Sequence, residues 1–455
     1  MNSLSVLNPA TGRTLEELAL ASTDDVSAAV EASRRAYSAW SRTAPAERAQ
    51  VLRSIADSIL LHQDELALLE TRNVGKPLAD SKGEVEMAAQ VFHFYAGAVD
   101  KHYGDTIPVA GGLDMTLNSP LGVIGVIVPW NFPLVIATWN IGPALACGNT
   151  VVLKPAEITP LTAVRLAEIA IEAGLPPDVL RVVAGTGEEA GHRLVTHPDV
   201  AKIAFTGSTE VGKGIMREAA STMKRLMLEL GGKASNIVFA DADLELAARE
   251  AVPAIFGNSG QDCCSRGRIL VEKPAFDRFV ELFVAAAAEL RVGDPEDATY
   301  GMGPLVSAAH RARVATFLDE PADVAFSGDV PRGDGFWFAP TVITCPAPDS
   351  RLVTEEIFGP IATVAPFSGE REAVEMTNAS PYGLSGSVWS RDGAKALRVA
   401  RDLEAGTLSV NSNSSVRVST PFGGFKQSGF GRELGMEAMN SYSELKNVYV
   451  RLDET

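Results

Sequence analysis

The chain contains few cysteines, and their spacing excludes two common kinds of structure. Only four occur in 455 residues: Cys147, Cys263, Cys264 and Cys345. Their irregular spacing predicts neither a disulfide framework nor a zinc site. The six histidines form no metal-ligand spacing either, so we interpret them as scattered surface or helix residues and expect no bound metal.

Basic side chains and long hydrophobic runs are also scarce. There are 40 basic against 57 acidic side chains, a formal charge of −17, which argues against nucleic acid or an anionic membrane as a partner. The apolar run from Leu121 to Pro129 is too short to span a bilayer. Residues 1–6 show neither a basic nor an apolar signal-peptide region. We therefore expect a cytoplasmic, reduced protein.

The hydrophobic pattern changes along the chain and predicts an α/β fold with more than one domain. Helical periodicity covers Asp24 to Trp40 and Pro45 to Arg72. From Gly122 onward, short β-branched runs alternate with helical stretches, which is typical of a doubly wound parallel sheet. A second α/β series begins near Gly232. A chain of this length exceeds one ordinary hydrophobic core.

Two short stretches that lie 34 positions apart carry the chemistry, namely Glu229-Leu-Gly-Gly-Lys233 and Gly260-Gln-Asp-Cys263. They supply a carboxylate and a thiol. A thiol attacks carbonyl groups as the thiolate, which is a minor form at neutral pH for a pKa of ~8.5. A base is then needed to activate water against the resulting thioester. With a bound hydride acceptor, this pair would oxidise an aldehyde.

Two predicted strand ends carry groups that could hold such an acceptor. Lys154 and Glu157 follow the strand Thr150 to Leu153, and Gly207-Ser208 begins a helix, where free N–H groups attract phosphate. A Gly-Ser turn before a helix is, taken alone, more often only a turn. A solvated ion pair is an equally valid interpretation of Lys154 and Glu157.

The chain resembles the aldehyde dehydrogenase superfamily over nearly its whole length. Seven motifs in order carry the resemblance: Pro129-Trp-Asn-Phe-Pro133, Lys154-Pro-Ala-Glu157, Phe205-Thr-Gly-Ser-Thr209, Glu229-Leu-Gly-Gly-Lys233, Phe256 to Cys263, Glu355-Glu-Ile-Phe-Gly-Pro360 and Pro421-Phe-Gly-Gly-Phe-Lys426. The resemblance implies that Cys263 is the nucleophile, that Glu229 activates water, and that Asn131 donates to the oxyanion beside the Cys263 backbone N–H. It also implies a set of cofactor-binding residues: Trp130, Lys154, Glu157, Gly207, Ser208, Gly212, Glu356 and Phe358.

The same resemblance implies a division into three parts. These are a Rossmann-like NAD-binding domain (1–98 and 120–231), a catalytic domain (232–425) and a small β oligomerisation arm (99–119 and 426–455). The arm implies a homodimer or homotetramer. Within the cofactor domain, Glu157 would repel the 2′-phosphate of NADP by up to ~4 kcal/mol per charge pair, so we expect NAD rather than NADP. The neighbouring Lys154 weakens this preference.

The expected substrate pocket is mostly apolar, being formed by Phe132, Val135, Ile136, Trp139, Asp262, Cys264 and residues 411 to 422. Asp262 is the exception, and Gly-Gln-Asp-Cys resembles the γ-aminobutyraldehyde dehydrogenase branch. An ω-aminoaldehyde or another aliphatic aldehyde is therefore the expected substrate. Alternatively, Asp262 points away and bonds only backbone. We interpret Cys264 as a small pocket residue.

One departure and two rival functions complete the sequence-based picture. Asn140 stands where many relatives have lysine, which puts in doubt any proton relay to Glu433. A CoA-acylating semialdehyde dehydrogenase is one alternative, although such relatives typically lack the base that Glu229 supplies. A catalytically idle scaffold, comparable to some lens crystallins, is the other.

Overall fold

The structure is a computed structural model that describes residues 3–414 and 416–452. Its strands are β1 Ser3–Leu7, β2 Thr14–Ala19, β3 Thr106–Val109, β4 Gly112–Pro120, β5 Val123–Ile127, β6 Thr150–Lys154, β7 Leu180–Val182, β8 Val200–Thr206, β9 Arg225–Glu229, β10 Ser235–Val238, β11 Arg268–Glu272, β12 Asp323–Ser327, β13 Thr341–Thr344, β14 Ile361–Phe367, β15 Tyr382–Gly383, β16 Ser385–Trp389, β17 Thr407–Val410, β18 Phe425–Lys426, β19 Gly429–Phe430 and β20 Ser443–Arg451.

The helices alternate with these strands over most of the chain. They are α1 Thr23–Trp40, α2 Pro45–Leu61, α3 Gln63–Val74, α4 Leu78–Ala98, α5 Pro133–Ala146, α6 Leu161–Glu172, α7 His192–Thr196, α8 Thr209–Ala219, α9 Leu244–Phe256, α10 Phe276–Ala288, α11 Ala308–Ala315, α12 Arg351–Thr354, α13 Gly369–Asn378, α14 Gly393–Asp402 and α15 Glu437–Asn440. No helix in the described ranges is long and apolar enough to cross a membrane.

Two mainly parallel sheets form the body of the protein, as the sequence predicts. The first has the order β19-β9-β8-β5-β6-β7, with only β19 antiparallel. Its central strands β5 and β6 are buried along their whole length, because helices cover both faces of a doubly wound sheet. The second has the order β12-β13-β14-β11-β10-β16-β17, with β12 antiparallel. The predicted α/β class is confirmed.

A smaller antiparallel sheet, β20-β4-β3, extends from this body. It contains both segments in which the sequence predicts an appendage. Strand β19, however, pairs with β9 of the first sheet, so part of the 426–455 segment contributes to that sheet. The three-part division itself stays a prediction.

Two local features differ from the sequence-based picture. The hydrophobic pattern indicates only helices in the N-terminal part of the chain, but β1 and β2 form an antiparallel hairpin before α1. The long predicted helix from Pro45 to Arg72 is two helices, which meet at His62 where φ is −100° and ψ is 19°. Both helices bury apolar side chains, Leu52, Ile55 and Ile59 in α2 and Leu66 and Val74 in α3, so hydrophobic periodicity alone does not locate the break.

Candidate active site

Two cavities meet where the sequence places the thiol and the carboxylate. The first cavity, about 250 Å³, lies at the carboxyl ends of β8 and β9, and the second, about 210 Å³, lies beside α4 and α5. Four residues line both: Ile136, Thr206, Glu229 and Cys263. The nucleophile and base candidates are therefore accessible from two sides.

A strained loop positions Cys263. Asn258, Ser259 and Gly260 have φ angles of 47°, 57° and 70°, a left-handed run that non-glycine residues rarely adopt. Side-chain hydrogen bonds hold it, from Asn258 Nδ2 to the Asn131 carbonyl (3.0 Å) and from Ser259 Oγ to the Gly303 carbonyl (2.8 Å). Such strain at a functional site indicates a geometry that the surrounding structure fixes.

The Cys263 thiol is protonated in the resting enzyme. A hydrogen bond with the Cys264 thiol, burial, and the charges of Cys264, Asp262 and Glu356 raise its pKa well above the ordinary value. Each of these effects disfavours the thiolate. Attack on a carbonyl group therefore requires that a base removes the thiol proton.

Glu229 ends strand β9 and is buried, with only 3% of its surface exposed. Neither of its carboxylate oxygens forms a hydrogen bond of normal geometry within the described ranges. Burial, followed by the charge of Glu433, raises its pKa well above the ordinary value, while the Arg432 charge and the Gly424 backbone oppose the shift. A buried carboxyl group with a raised pKa is suited to accept a proton near neutral pH.

Asn131 is buried at the wall of the first cavity. Its Nδ2 donates to the Gln261 carbonyl at 2.9 Å, and Gln261 Oε1 in turn accepts from the Val306 backbone N–H at 2.9 Å. An amide nitrogen carries two N–H groups, so one donor is fixed by Gln261 and the other can serve a ligand. This geometry is compatible with the predicted oxyanion role.

The cofactor residues expected at the strand ends separate into two groups. Gly207 and Ser208 line the first cavity, and Ser208 caps α8 by accepting the Val211 backbone N–H. The first N–H groups of a helix lack intrahelical partners, so this end can bind a phosphate. Lys154 pairs with Glu157 at 3.0 Å after β6, but neither residue lines this cavity. Gly212 does not line it either; a Cβ there would lie 2.6 Å from Leu230, which indicates a packing role.

The opposite wall of the first cavity contains Trp130, Glu356 and Phe358, together with two residues that sequence reasoning missed. These are His310 and Arg313 of α11. Phe358 has a φ of 58°, a strained value for a bulky residue. A ring nitrogen of His310, Nε2, lies 2.7 Å from the Phe358 carbonyl oxygen.

Arg313 bonds the same segment, residues 356–358, and we call His310 and Arg313 together the clamp. Its guanidinium donates to the carbonyl groups of Glu356 (2.8 Å) and Ile357 (2.7 Å). Burial lowers the pKa of His310 to about 4, so its ring is neutral at physiological pH and Nε2–H can donate to Phe358. No local sequence signal identifies this clamp, because it depends on how α11 packs against residues 356–358.

All six individually named substrate-pocket residues line the second cavity, namely Phe132, Val135, Ile136, Trp139, Asp262 and Cys264. From the expected range 411 to 422, Val416 and Phe422 line it. Asp262 bonds the backbone without pointing away from the cavity: its Oδ1 accepts the Cys264 backbone N–H at 2.7 Å while the side chain still borders the cavity. The wall also includes Glu84 and Met87, which the sequence did not indicate, and Glu433, which the sequence analysis names only as the partner of a proton relay.

A doubly wound domain with a half-buried thiol and a buried carboxyl group between two cavities defines the class of nucleotide-dependent oxidoreductases. The chain belongs to the aldehyde dehydrogenase family, whose model matches residues 1–448. The predicted enzyme class, an NAD(P)-dependent aldehyde dehydrogenase, is therefore confirmed.

Known relatives are similar over almost the full chain. The phenylacetaldehyde dehydrogenase of Pseudomonas fluorescens is 44% identical, covering 98% of this chain and 92% of its own. The NADP/NAD-dependent aldehyde dehydrogenase PuuC of Escherichia coli (strain K12) is 42% identical, covering 99% and 93%. A Staphylococcus aureus betaine aldehyde dehydrogenase, solved with NAD⁺, is 38% identical with a TM-score of 0.97, covering 100% and 92%. Two of these relatives are named for different aldehydes, phenylacetaldehyde and betaine aldehyde.

Proposed function

We propose that this enzyme oxidises an aldehyde to a carboxylic acid through a covalent intermediate on Cys263, with Glu229 as the base. The observation that carries this proposal is the position of both residues at the junction of the two cavities. A cofactor in the first cavity and an aldehyde in the second would meet at the sulfur atom. A catalytically idle scaffold has no need for a buried carboxyl group, whose oxygens have no hydrogen-bond partner of normal geometry, beside a thiol at this junction.

The proposed reaction begins when Glu229 takes the thiol proton and the Cys263 sulfur adds to the aldehyde carbon. The Asn131 side chain and the Cys263 backbone N–H donate to the resulting oxyanion of the thiohemiacetal. NAD, when bound, supplies the acceptor for the hydride that leaves this carbon, so that a thioester remains on Cys263. Glu229 first releases the thiol proton to solvent and, as the carboxylate, then takes a proton from the water that attacks the thioester. The C–S bond breaks, the carboxylic acid leaves, and Glu229 returns its proton to the Cys263 thiolate.

NAD is the cofactor that the residues favour. We assign the pyrophosphate to the Gly207-Ser208 turn, the nicotinamide riboside to Glu356 and Phe358, and the adenosine ribose to Lys154 and Glu157. The Glu157 side chain is 40% exposed beside Lys154, so a ribose hydroxyl can reach its carboxylate. A 2′-phosphate would be repelled by the same group. NAD bound to the Staphylococcus aureus relative supports this choice.

An ω-aminoaldehyde is the substrate class that the second cavity favours. Four carboxyl groups line it, from Glu84, Asp262, Glu229 and Glu433, and no lysine, arginine or histidine does so among the described residues. Aromatic and aliphatic side chains form most of the remaining wall, with Trp139 and Phe422 in edge-to-face contact at 5.3 Å. A short apolar chain that ends in an ammonium group matches both properties.

We further propose that the β20-β4-β3 sheet is an oligomerisation arm. Strand β20 is an edge strand, and exposed apolar side chains cover this sheet, including Leu117, Leu445 and Tyr449. An exposed edge with apolar side chains favours pairing with another chain. Light scattering after gel filtration tests this; a monomer at micromolar concentration would refute it.

The reaction itself is tested with two variants. Cys263→Ala should abolish NADH production while NAD still binds. Glu229→Gln should lose steady turnover because both proton transfers lack their base; any hydride transfer that persists should appear as one stoichiometric NADH burst. Full turnover in either variant would refute the assigned role. Adding CoA to the assay distinguishes hydrolysis from the rival CoA-acylating reaction, because a CoA-acylating enzyme would form acyl-CoA in place of the free acid.

A further inference from the structure

We propose that Cys263, Cys264 and Asp262 form a binding site for a thiophilic divalent cation, such as Zn²⁺ or Cd²⁺, and that the bound cation blocks catalysis. The binding site stands on geometry alone. Its inhibitory effect rests on the proposed function, because it requires Cys263 to be the nucleophile.

The three side chains lie close enough to one another to bind a single cation. The two sulfur atoms and a carboxylate oxygen of Asp262 all lie within 4.8 Å of one another. Two thiolates bound at ~2.3 Å to one tetrahedral zinc ion lie about 3.8 Å apart, so small side-chain rotations suffice. The Asp262 carboxylate is held by the Cys264 backbone N–H at 2.7 Å through Oδ1, which leaves Oδ2 for a cation.

The ligand types select the class of cation. Cysteine and carboxylate ligands suit zinc and cadmium, whereas magnesium and calcium prefer oxygen ligands alone. The carboxyl groups of Glu84, Glu229 and Glu433 line the same cavity, and no basic side chain of the described residues does so. Burial raises the pKa of all three groups and Lys76 pairs with Glu84 at 2.6 Å, so the two thiols and Asp262, rather than the cavity's charge, carry the proposal.

Binding would exchange two protons for one metal ion. The two thiols lose their protons to solvent and each sulfur donates an electron pair to the cation, with no change in oxidation state. The Cys263 sulfur, once bound to the cation, is no longer available to attack a carbonyl group. The cation would occupy the second cavity, so inhibition should be competitive with the aldehyde, while NAD binding through the first cavity persists.

Cadmium titration of the full-length enzyme tests the site without relying on activity. Ultraviolet cadmium–thiolate absorption and calorimetry should report one ion per chain. Loss of even an outer-shell partner typically costs ~10–100-fold in metal affinity, so Cys264→Ser, or Cys264→Ala if the serine variant does not fold, should weaken binding by at least roughly tenfold. Asp262→Asn should weaken it less. The exposed Cys345 gives the matched control, because Cys345→Ser should bind as the wild type does.

Unchanged affinity in the Cys264 variant, or binding that Cys345→Ser removes, would overturn the proposed site. The inhibition experiment is separate and measures the initial rate at several aldehyde concentrations, with chelator added at the end to restore the rate. If cadmium binds at the dithiol and turnover continues, the site stands and the nucleophile role of Cys263 fails. The two hypotheses are thereby distinguished.

Discussion

Asn140 Nδ2 lies 2.7 Å from Glu433 Oε1, and the same amide accepts the Tyr442 hydroxyl at 2.6 Å through its oxygen. A neutral amide thus occupies the position next to Glu433 where many relatives have lysine. An amide cannot carry a proton onward as an ammonium group does. Burial raises the pKa of Glu433 to about 7, and Asn140 opposes the shift by donating to the carboxylate. Glu433 also raises the pKa of Glu229.

Glu433→Gln should therefore move the acidic limb of the pH–rate profile to lower pH. A base acts when it is ionised, and removing a neighbouring negative charge makes ionisation of Glu229 easier, which lowers its pKa. The effect should be largest above pH 7, where Glu433 is mostly ionised. The measurement is the rate of thioester hydrolysis from about pH 5 to 9. Glutamine can still accept the Asn140 hydrogen bond, so the fold is preserved.

The control for this experiment is Glu437→Gln, which alters an exposed glutamate on α15. Its profile should match the wild type. A shift of the Glu433→Gln limb to higher pH, or no shift, would show that Glu433 does not influence Glu229 through its charge.

Asn131→Ala tests the oxyanion donor. Removing one such donor typically costs ~3–4 kcal/mol of barrier, so kcat should fall by roughly 10²–10³-fold. The KM for NAD should change little. Because Asn131 also bonds the Gln261 carbonyl, thermal unfolding must show that the variant remains folded. A fall of less than about fivefold in a folded variant would contradict the assignment.

The sequence predicted that Cys263 and Glu229 belong to one site, and both line the two cavities, because each lies in a short motif whose local structure fixes its position. Cys263 follows a left-handed run that ends at Gly260, and Glu229 ends a buried strand. It did not predict Glu84, Met87 or His310. These residues belong to helices whose faces reach the cavities only through tertiary packing, and nothing within α4 or α11 distinguishes them from ordinary helix residues.

Asp262→Asn tests the substrate class. The asparagine oxygen can still accept the Cys264 N–H, so the variant removes charge more than shape. We expect kcat/KM for 4-aminobutanal to fall about tenfold, the order of one charged hydrogen bond, and to fall much less for hexanal. Glu86→Gln, which alters an exposed glutamate on α4, is the control and should leave kcat/KM unchanged for both aldehydes. Equal losses for both aldehydes would remove the argument for an ammonium group in the second cavity.

His310→Ala should weaken NAD binding although His310 is assigned no direct role in the reaction. Its ring nitrogen bonds the Phe358 carbonyl at 2.7 Å and its ring contacts Trp130 at 5.0 Å, so the alanine variant frees a strained backbone. Relaxation of such strain is worth ~1–3 kcal/mol, which predicts a roughly tenfold higher Kd for NAD. His310→Gln retains an N–H donor and should recover part of the affinity for NAD.

The pH dependence of this contact provides a second readout. Because the folded-state pKa of His310 is lowered to about 4, the neutral ring is favoured in the folded protein. The associated stability is present at neutral pH and is lost only as pH falls from about 6.5 toward 4. NAD affinity should therefore show no His310-dependent step above pH 7. The exposed His192 supplies the control, since His192→Ala should bind NAD as the wild type does. Equal affinity in His310→Ala and the wild type would show that Arg313 alone holds the segment.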